Sequence, residues 1–538
     1  MSRGTRPVSG PLRRARQNGV SMRRACRVTA LTGLWLLVLA PAARAAEAGG
    51  GIDTAINDAL GPVSEVMSRY VFYPVPGLPV ELPLIVVWLI AGAVFFTFYN
   101  RFINIRGFAH SVQILRGQYD DPDDPGETTH FQALMTALSA TVGLGNIAGV
   151  AVAITIGGPG ATFWMVVAAF FGMSTKFVEC SLAVKYRYEY EDGHVTGGPM
   201  VYIERLRENR GWPSWAAKGA AAFFSVATIG GAIGAANMFQ VGQAYQQFLT
   251  QVGEDSPLAM PGWVFGLIMA VAVGVVIIGG IRSIARVTAK LVPIMAGVYL
   301  LAAAVILILH IGDIPAALAR IVGGALSGES IAGGVFGAIV AGIQRSAFSN
   351  EAGLGSAPIA HSSAKTDLWI REGFVAQLGP FIDTVVICTA TALVIVITGV
   401  YETAGEEVEG VTLTSQAFAE RISWFPWILM VAVILFAFST IISWSYYGVK
   451  ASNYLFGEST VVVRGFQVVF CLFIIVGGAL TLEQVVPLMD SLIFLMPLAN
   501  VLALYVYAGE IRDDLNEYWR AYRSGEMLTY EQEQLAAE

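Results

Sequence analysis

The sequence predicts an all-α polytopic membrane protein with about eleven spanning helices, built as a five-plus-five inverted repeat preceded by one extra helix. Three observations carry that prediction. Hydrophobic residues make up 55% of the chain and charged residues 14%, against roughly a quarter charged in a soluble domain, and the mean hydropathy is +0.61. Apolar runs long enough to cross a bilayer recur from residue 83 onward. Two of these runs are interrupted at mid-depth by glycines and polar residues, which lipid tolerates only where the broken backbone faces protein or water.

The first apolar stretch, Val28 to Ala40, is too short to span; it follows Arg23, Arg24 and Arg27 and precedes Ala43-Arg44-Ala45, a small-x-small cleavage pattern. Residues 1–45 are therefore expected to be a cleaved signal peptide. Counted from Met22 the signal has ordinary length, leaving residues 1–21 as a long n-region or as sequence upstream of the true start. Residues 46–82 read as an extracytoplasmic amphipathic segment. Spans follow at 83–100, 132–156, 160–184, 216–246, 262–281, 288–310, 332–360, 376–400, 425–452, 461–479 and 484–507. In this division 83–130 holds the extra helix and a cytoplasmic loop, 131–310 the first five-helix repeat, 332–507 the second, and 508–538 a cytoplasmic tail.

A removed signal and an odd helix count place the N-terminus outside and the C-terminus inside. Basic residues test this independently. Arg101, Arg106 and Arg116, Lys185 and Arg187, Arg282 and Arg286, Lys365 and Arg371, Lys450 and Arg464, and Arg512, Arg520 and Arg523 fall in loops counted as cytoplasmic, whereas the outer loops hold only Arg69, Arg320 and Arg421. The positive-inside rule agrees with the signal. The expected location is the inner (plasma) membrane of a bacterial cell.

The net charge of -7 owes much to short acidic loops such as Asp120, Asp121, Asp123 and Asp124, and no basic footprint for nucleic acid is seen. Cys26 would leave with the signal. Cys180, Cys388 and Cys471 lie in apolar spans, so no disulfide or metal framework is implied. His110, His130, His194, His310 and His361 show no ligand spacing, and the cytoplasmic ones read as solvated. No phosphate-binding loop for ATP hydrolysis is present.

The strongest signal is the run Thr136 to Gly160, where Gly143, Gly145 and Asn146 stand near mid-depth. An opened helix offers amides at the start of its second half, where the dipole favours a carboxylate, and carbonyls at the end of its first half, where a small cation is favoured. The alternative is a tight packing contact, since small residues are common at membrane helix crossings. The second interrupted run, 332–360, brings Arg345, Asn350 and Glu351 to depth beside Gly353 and Gly355. Arg345 and Glu351 are expected to pair with each other or with Asp383, and Lys176 with Glu179 along one helix. Five helices separate one break from the next, so the two units lie in opposite orientations, the plan of many secondary transporters.

Polar stripes mark two further spans: Asn237, Gln240 and Gln243 on the fourth, and Ser439, Thr440 and Ser443 before Trp444 on the ninth. Ser439 and Thr440 supply hard oxygen ligands suited to Na+, although such hydroxyls also bond back to the preceding turn. Trp444 and Phe348 are candidate pocket walls or ordinary core aromatics.

The motifs ATVGLGNIAGVA with IGGPGA, GGPM at 197–200, and RSAFSNEAGLGSAPIAHSSAK at 345–365 resemble the signatures of the alanine/glycine:cation symporter family, over about 83–510. The resemblance implies a leucine-transporter (LeuT) type fold and import of alanine, glycine or related small amino acids coupled to Na+, with H+ as the alternative ion. It further implies a substrate site at Thr141, Gly143, Gly145, Asn146, Gln240, Phe348, Ser349 and Trp444. A sodium site would use the Ser139, Val142 and Phe436 carbonyls with Ser439 and Thr440. Thr141 stands where the leucine transporter has alanine, so a second sodium site does not carry over. A channel would want rings of charge and a membrane enzyme a cluster of acid-base or metal-ligating groups; neither is apparent, and the oligomeric state is not readable.

Overall fold

With no water in the bilayer core to pair their amides, the apolar runs fold into helices that satisfy their backbone internally. The computed structural model describes residues 52–537 apart from 78–81, 192, 254, 327–333, 404–409, 423 and 480–484. The expected signal peptide lies outside the described residues. The first described helix, α1 (Ile52–Val71), rests on the last span through Phe72 against Phe494 (ring centroids 5.3 Å) and Ser68 against Ser491 (3.1 Å). The extra helix is α2 (Leu84–Tyr99). The first interrupted run becomes α3 (His130–Thr141) and α4 (Ala148–Gly157), bent by 62° about a short turn at Leu144–Asn146. Thr129 starts α3 with a capping box, its hydroxyl accepting from the Gln132 amide while the Gln132 side chain accepts from the Thr129 amide.

The remaining helices of the first unit are α5 (Gly160–Lys185), α6 (Ser214–Val252), α7 (Gly262–Ile277) and α8 (Gly280–Leu309). After α9 (Ile314–Leu326) come α10 (Gly334–Asn350) and α11 (Ala357–His361), the two halves of the second interrupted run. They are followed by α12 (Trp369–Thr398), α13 (Phe425–Phe456), α14 (Thr460–Ala479), α15 (Val485–Ser524) and α16 (Tyr530–Ala537). Positive-φ glycines at 253 and 457 end α6 and α13.

Among the described residues seven helices are long and apolar enough to cross a membrane, or eight with the bent pair α3–α4. This is fewer than the eleven expected. The difference lies in α2 and α7, which are helical but only 16 residues long, and in α10, which stops after 17 residues. The expected boundary at 507 falls inside α15, which continues unbroken to Ser524.

Broken and continuous helices pack in a way that buries the breaks. The α3 half lies against α8 and α13, α10 against α5 and α4, and α6 between α13 and α15. Helices α7 and α14 cross on glycine, where a Cβ on Gly262 would fall 1.9 Å from the Gly478 carbonyl oxygen. Two stretches are π-helical, Gly234–Met238 within α6 and Phe381–Cys388 within α12. Such turns are frequent at functional sites.

Candidate substrate and cation site

A cavity of about 360 Å3 opens where the two breaks meet α6, α13 and α15. The first break contributes Thr141, Gly143 and Gly145. Ala235, Ala236 and Gln240 come from α6 around its π turn, Phe348, Glu351 and Leu354 from the second break, Thr440 and Trp444 from α13, and Ile493 from α15. Of the residues expected around a substrate, Thr141, Gly143, Gly145, Gln240, Phe348 and Trp444 thus line one cavity. Asn146 and Ser349 do not.

Those two lie behind the cavity in a buried polar knot. The Asn146 side chain accepts from the Gly143 amide (2.9 Å) and donates to Asp383 Oδ1 (2.6 Å) and to Ser349 Oγ (3.2 Å). Ser349 and Thr384 each donate to Asp383 Oδ2 at 2.7 Å. Asn146 therefore holds the shape of the break from the inside, and Asp383, on the π-helical stretch of α12, anchors it. The expected pairing of Asp383 with Arg345 or Glu351 is not found, because Asp383 is already saturated by neutral donors.

Glu351 also differs from expectation. Its carboxylate accepts from Ser356 and from Trp444 Nε1 (3.2 Å), and its carbonyl accepts from Lys176 Nζ (3.1 Å). Trp444 is thereby fixed as a wall of the cavity. Lys176 lies 3.6 Å from Glu179, as the spacing predicts. The cytoplasmic histidines are a further correction: His110, His130 and His361 are buried, not solvated. His130 and His361 both bond Glu372, and His110 Nε2 meets the Tyr518 hydroxyl at 2.8 Å. These rings sit where helix ends converge, and burial there is affordable because a partner faces each one.

The polar atoms that remain open point to ligand chemistry. Gln240 is 4% exposed, and its Oε1 has no hydrogen-bond partner among the described residues. That oxygen lies 3.7 Å from where a Gly143 Cβ would stand. A buried acceptor without a donor costs about 1–3 kcal/mol, a cost that an ammonium group in the cavity would remove. Leu144 and Gly145 start the second half of the broken helix, where the first amides lack intrahelical acceptors and favour negative charge. The cavity thus has an open acceptor on one wall and the glycine backbone of the break, Gly143 and Gly145, on another.

Four of the expected cation ligands, Ser139, Phe436, Ser439 and Thr440, are linked to one another beside it. Thr440 Oγ1 is 3.2 Å and Ser439 Oγ 3.4 Å from the Ser139 carbonyl oxygen, and Ser139 Oγ donates to the Ser439 carbonyl (2.6 Å). Ser439 also bonds back to the Phe436 carbonyl at 2.9 Å, as a purely structural serine would. Thr440 instead reaches across to α3. Val142 caps α3 next to this group, its amide on the Leu138 carbonyl. The donor set is all oxygen and neutral, suited to a hard monovalent cation. The expected polar stripe of Asn237, Gln240 and Gln243 on α6 divides: Gln240 lines the cavity, whereas Asn237 donates to the Phe470 carbonyl of α14 (2.8 Å) and Gln243 is not among the lining residues.

Sequence reasoning did not single out Ala235, Ala236, Leu354 or Ile493. The first two follow from a π turn whose register no periodicity announces, and Ile493 is one apolar residue among many on α15.

The model of the sodium:alanine symporter family matches residues 69–532. A sodium/alanine symporter of Methanococcus maripaludis is 38% identical over 431 residues, covering 80% of this chain and 92% of that one. A probable sodium/glutamine symporter of Bacillus subtilis is 31% identical, covering 82% and 89%. An amino-acid carrier protein of the same organism is 31% identical, covering 88% and 94%. Among solved structures, the crystal structure of MhsT in complex with L-phenylalanine has a TM-score of 0.51 at 16% identity, covering 71% of this chain and 89% of that one. That likeness is one of fold.

Proposed function

The chain belongs to the sodium:alanine symporter family, and on that premise we propose that it imports alanine or glycine together with Na+ by alternating access. The observation that carries this reading is the cavity at the first break, with the unpartnered Gln240 Oε1 on one wall and Gly143 and Gly145 of the break on another. An α-amino acid presents the complementary pair, an ammonium and a carboxylate on adjacent carbons. Gln240 would accept from the ammonium, and the Gly143–Gly145 backbone would receive the carboxylate. Thr141 lines the same wall, and Asn146 and Ser349 hold the break in shape from behind.

Phe348 and Trp444 close the side-chain end and favour a methyl group or hydrogen there. The Na+ that travels with the substrate would be held by the carbonyls of Ser139, Val142 and Phe436 with the hydroxyls of Ser439 and Thr440. These ligands join α3 to α13, so an ion bound there favours the arrangement in which the two helices touch. The rest of the reading is the five-plus-five inverted repeat after one extra helix, eleven spans in all, in the inner membrane of a bacterium with the C-terminus cytoplasmic.

Uptake of labelled alanine into proteoliposomes under an inward Na+ gradient tests the proposal. The expected result is uptake that collapses when Na+ is replaced by K+ and that unlabelled glycine suppresses. Leucine is expected to compete roughly tenfold to hundredfold less well, the discrimination that overpacking by about 1–3 kcal/mol gives. Uptake driven equally by a pH gradient without Na+ would assign H+ as the coupling ion. Glutamine or leucine competing as strongly as glycine would overturn the small-substrate reading.

A further inference from the structure

Away from the transport cavity, a second cavity of about 270 Å3 lies between the end of α2 and the extended C-terminal part of α15. Its walls include Tyr99, Asn100, Arg101 and Arg106 on one side and Arg512 and Trp519 on the other. The chain turns sharply around it: Arg101 and Phe102 have φ of 54° and 56°, a left-handed conformation that side-chain-bearing residues rarely adopt. This turn ends α2 and delivers both arginines to the cavity.

The charged groups that line the cavity are all cations, beside the amides of Asn100 and Asn516. The Arg512 guanidinium lies 4.6 Å from the Tyr99 ring centroid, and Arg106 and Arg523 lie 5.6 and 5.5 Å from that of Trp519. None of Arg101, Arg106, Arg512 and Arg523 has an ion pair among the described residues. Two carboxylates of α15 are committed elsewhere, Glu510 to Lys185 and Arg210, and Asp514 to Lys185. Burial, and after it the charges of Arg523 and Arg101, push the Arg106 pKa down. Asn100 is 3% exposed, yet neither its Nδ2 nor its Oδ1 has a partner among the described residues, and the Trp519 indole N–H is likewise buried without an acceptor.

We propose that this cavity binds the phosphate group of an anionic phospholipid. The guanidinium groups, the Asn100 amide and the Trp519 N–H together make a set of donors for phosphate oxygens. A phospholipid is favoured over free phosphate because the cavity sits where an apolar helix ends. On that helix and just past it Phe95, Phe98 and Ile105 are 37%, 59% and 59% exposed, apolar surface against which acyl chains lie. Basic pockets between membrane helices at the expected cytoplasmic side suit such headgroups. The inference does not depend on which amino acid is carried.

Native mass spectrometry of the full chain, solubilised with equal amounts of phosphatidylglycerol and phosphatidylcholine, tests it. The expected result is preferential retention of phosphatidylglycerol. Each arginine contributes roughly a fivefold factor near an anionic surface, so Arg106→Gln with Arg512→Gln should cut the preference by about thirtyfold. Lys218→Gln with Lys290→Gln removes the same charge from exposed positions that do not line the cavity, and should leave the preference intact. Equal retention of the two lipids by the wild-type chain overturns the proposal whether or not the variants fold, as does an equal loss in the lysine pair. A parallel thermal-unfolding arm uses inorganic phosphate. If phosphate stabilises the wild type and not the arginine pair while phosphatidylglycerol shows no preference, the site takes a soluble phosphate and the lipid assignment is overturned.

Discussion

At the first break the freed backbone is answered almost entirely by neutral groups. Thr391 donates to the Asn146 carbonyl (2.9 Å), Thr414 to that of Ile147 (3.0 Å) and Thr440 to that of Ser139 (3.2 Å), while Asn146 turns back on the Gly143 amide. At the second break the chain passes through Glu351, Gly353 and Gly355 in left-handed conformation, and the bonds there involve charge. Lys176 holds the Glu351 carbonyl, the Glu351 carboxylate holds Ser356 and Trp444, and Asn500 joins the Gly353 carbonyl to Glu179 (both 2.9 Å). A neutral hydrogen bond contributes about 1 kcal/mol net and can be exchanged for a bond to a ligand. Removing one partner of a buried ion pair costs about 3–5 kcal/mol. The first break is built to rearrange, and the second is built to stay.

That contrast can be broken most decisively at Glu351. Glu351→Ala leaves the Ser356 hydroxyl and Trp444 Nε1 without their acceptor, while Lys176 keeps the backbone carbonyl of residue 351. At about 1–3 kcal/mol for each orphaned buried donor, a stability loss of about 2–6 kcal/mol is expected in denaturation of the detergent-solubilised protein. A loss below about 1 kcal/mol would mean that the second break is no more fixed than the first. Next in size is Gly355→Ala. Its φ is +88°, and a Cβ would stand 2.8 Å from Pro199 and 2.9 Å from Phe224, so about 2–4 kcal/mol is expected. Gly145→Ala is the matched change at the first break; its Cβ would meet Ser349 and Phe348 at ordinary distances of 3.4 and 3.6 Å, and the yield of folded protein should stay near wild type.

Gly143→Ala sharpens the comparison, because it acts on transport and spares the fold. Its Cβ would come 2.7 Å from Thr440 Oγ1 and push that hydroxyl away from Ser139. Alanine uptake should fall about tenfold, equivalent to about 1.4 kcal/mol, with little change in thermal stability. Adding Thr440→Ala relieves the clash without restoring the dependence on Na+. The smallest effect is expected of Thr440→Ala alone, which should raise the half-saturating Na+ concentration about fivefold while leaving folded yield unchanged. An unchanged Na+ activation curve would remove Thr440 from the ion site.

Both interruptions were legible because two apolar runs each carry glycine beside polar residues at mid-depth, where packing alone is the weaker reading. Phe348, Gln240 and Trp444, by contrast, were expected at the cavity from the family resemblance, their spacing marking only a polar stripe and candidate aromatics. What held the breaks was harder to read. Asp383 is a single carboxylate in an apolar segment, and nothing local shows that Asn146, Ser349 and Thr384 will converge on it from three elements. Glu351 was expected to meet Arg345, six residues earlier, or Asp383, but its left-handed turn goes with a carboxylate bonded to Trp444 and Ser356. The histidines misled because a helix end in a loop-rich face reads as wet until the packing of α3, α11 and α12 around Glu372 is known.

The length of α15 has a mechanical consequence. Its 40 residues extend about 60 Å, twice the hydrocarbon thickness of about 30 Å, and the rod is fastened at two levels. Near its middle Asn500 grips the second break, and farther along Glu510 and Asp514 are tied to Lys185 at the end of α5. Tyr518 adds a bond to His110. A beam clamped at two points cannot swing without tearing charged bonds, so α15 with α5 forms a fixed post. The α3–α4 arm, whose freed carbonyls are held by threonine hydroxyls and whose tie to charge runs through Asn146 to Asp383, is the part with freedom to move against it.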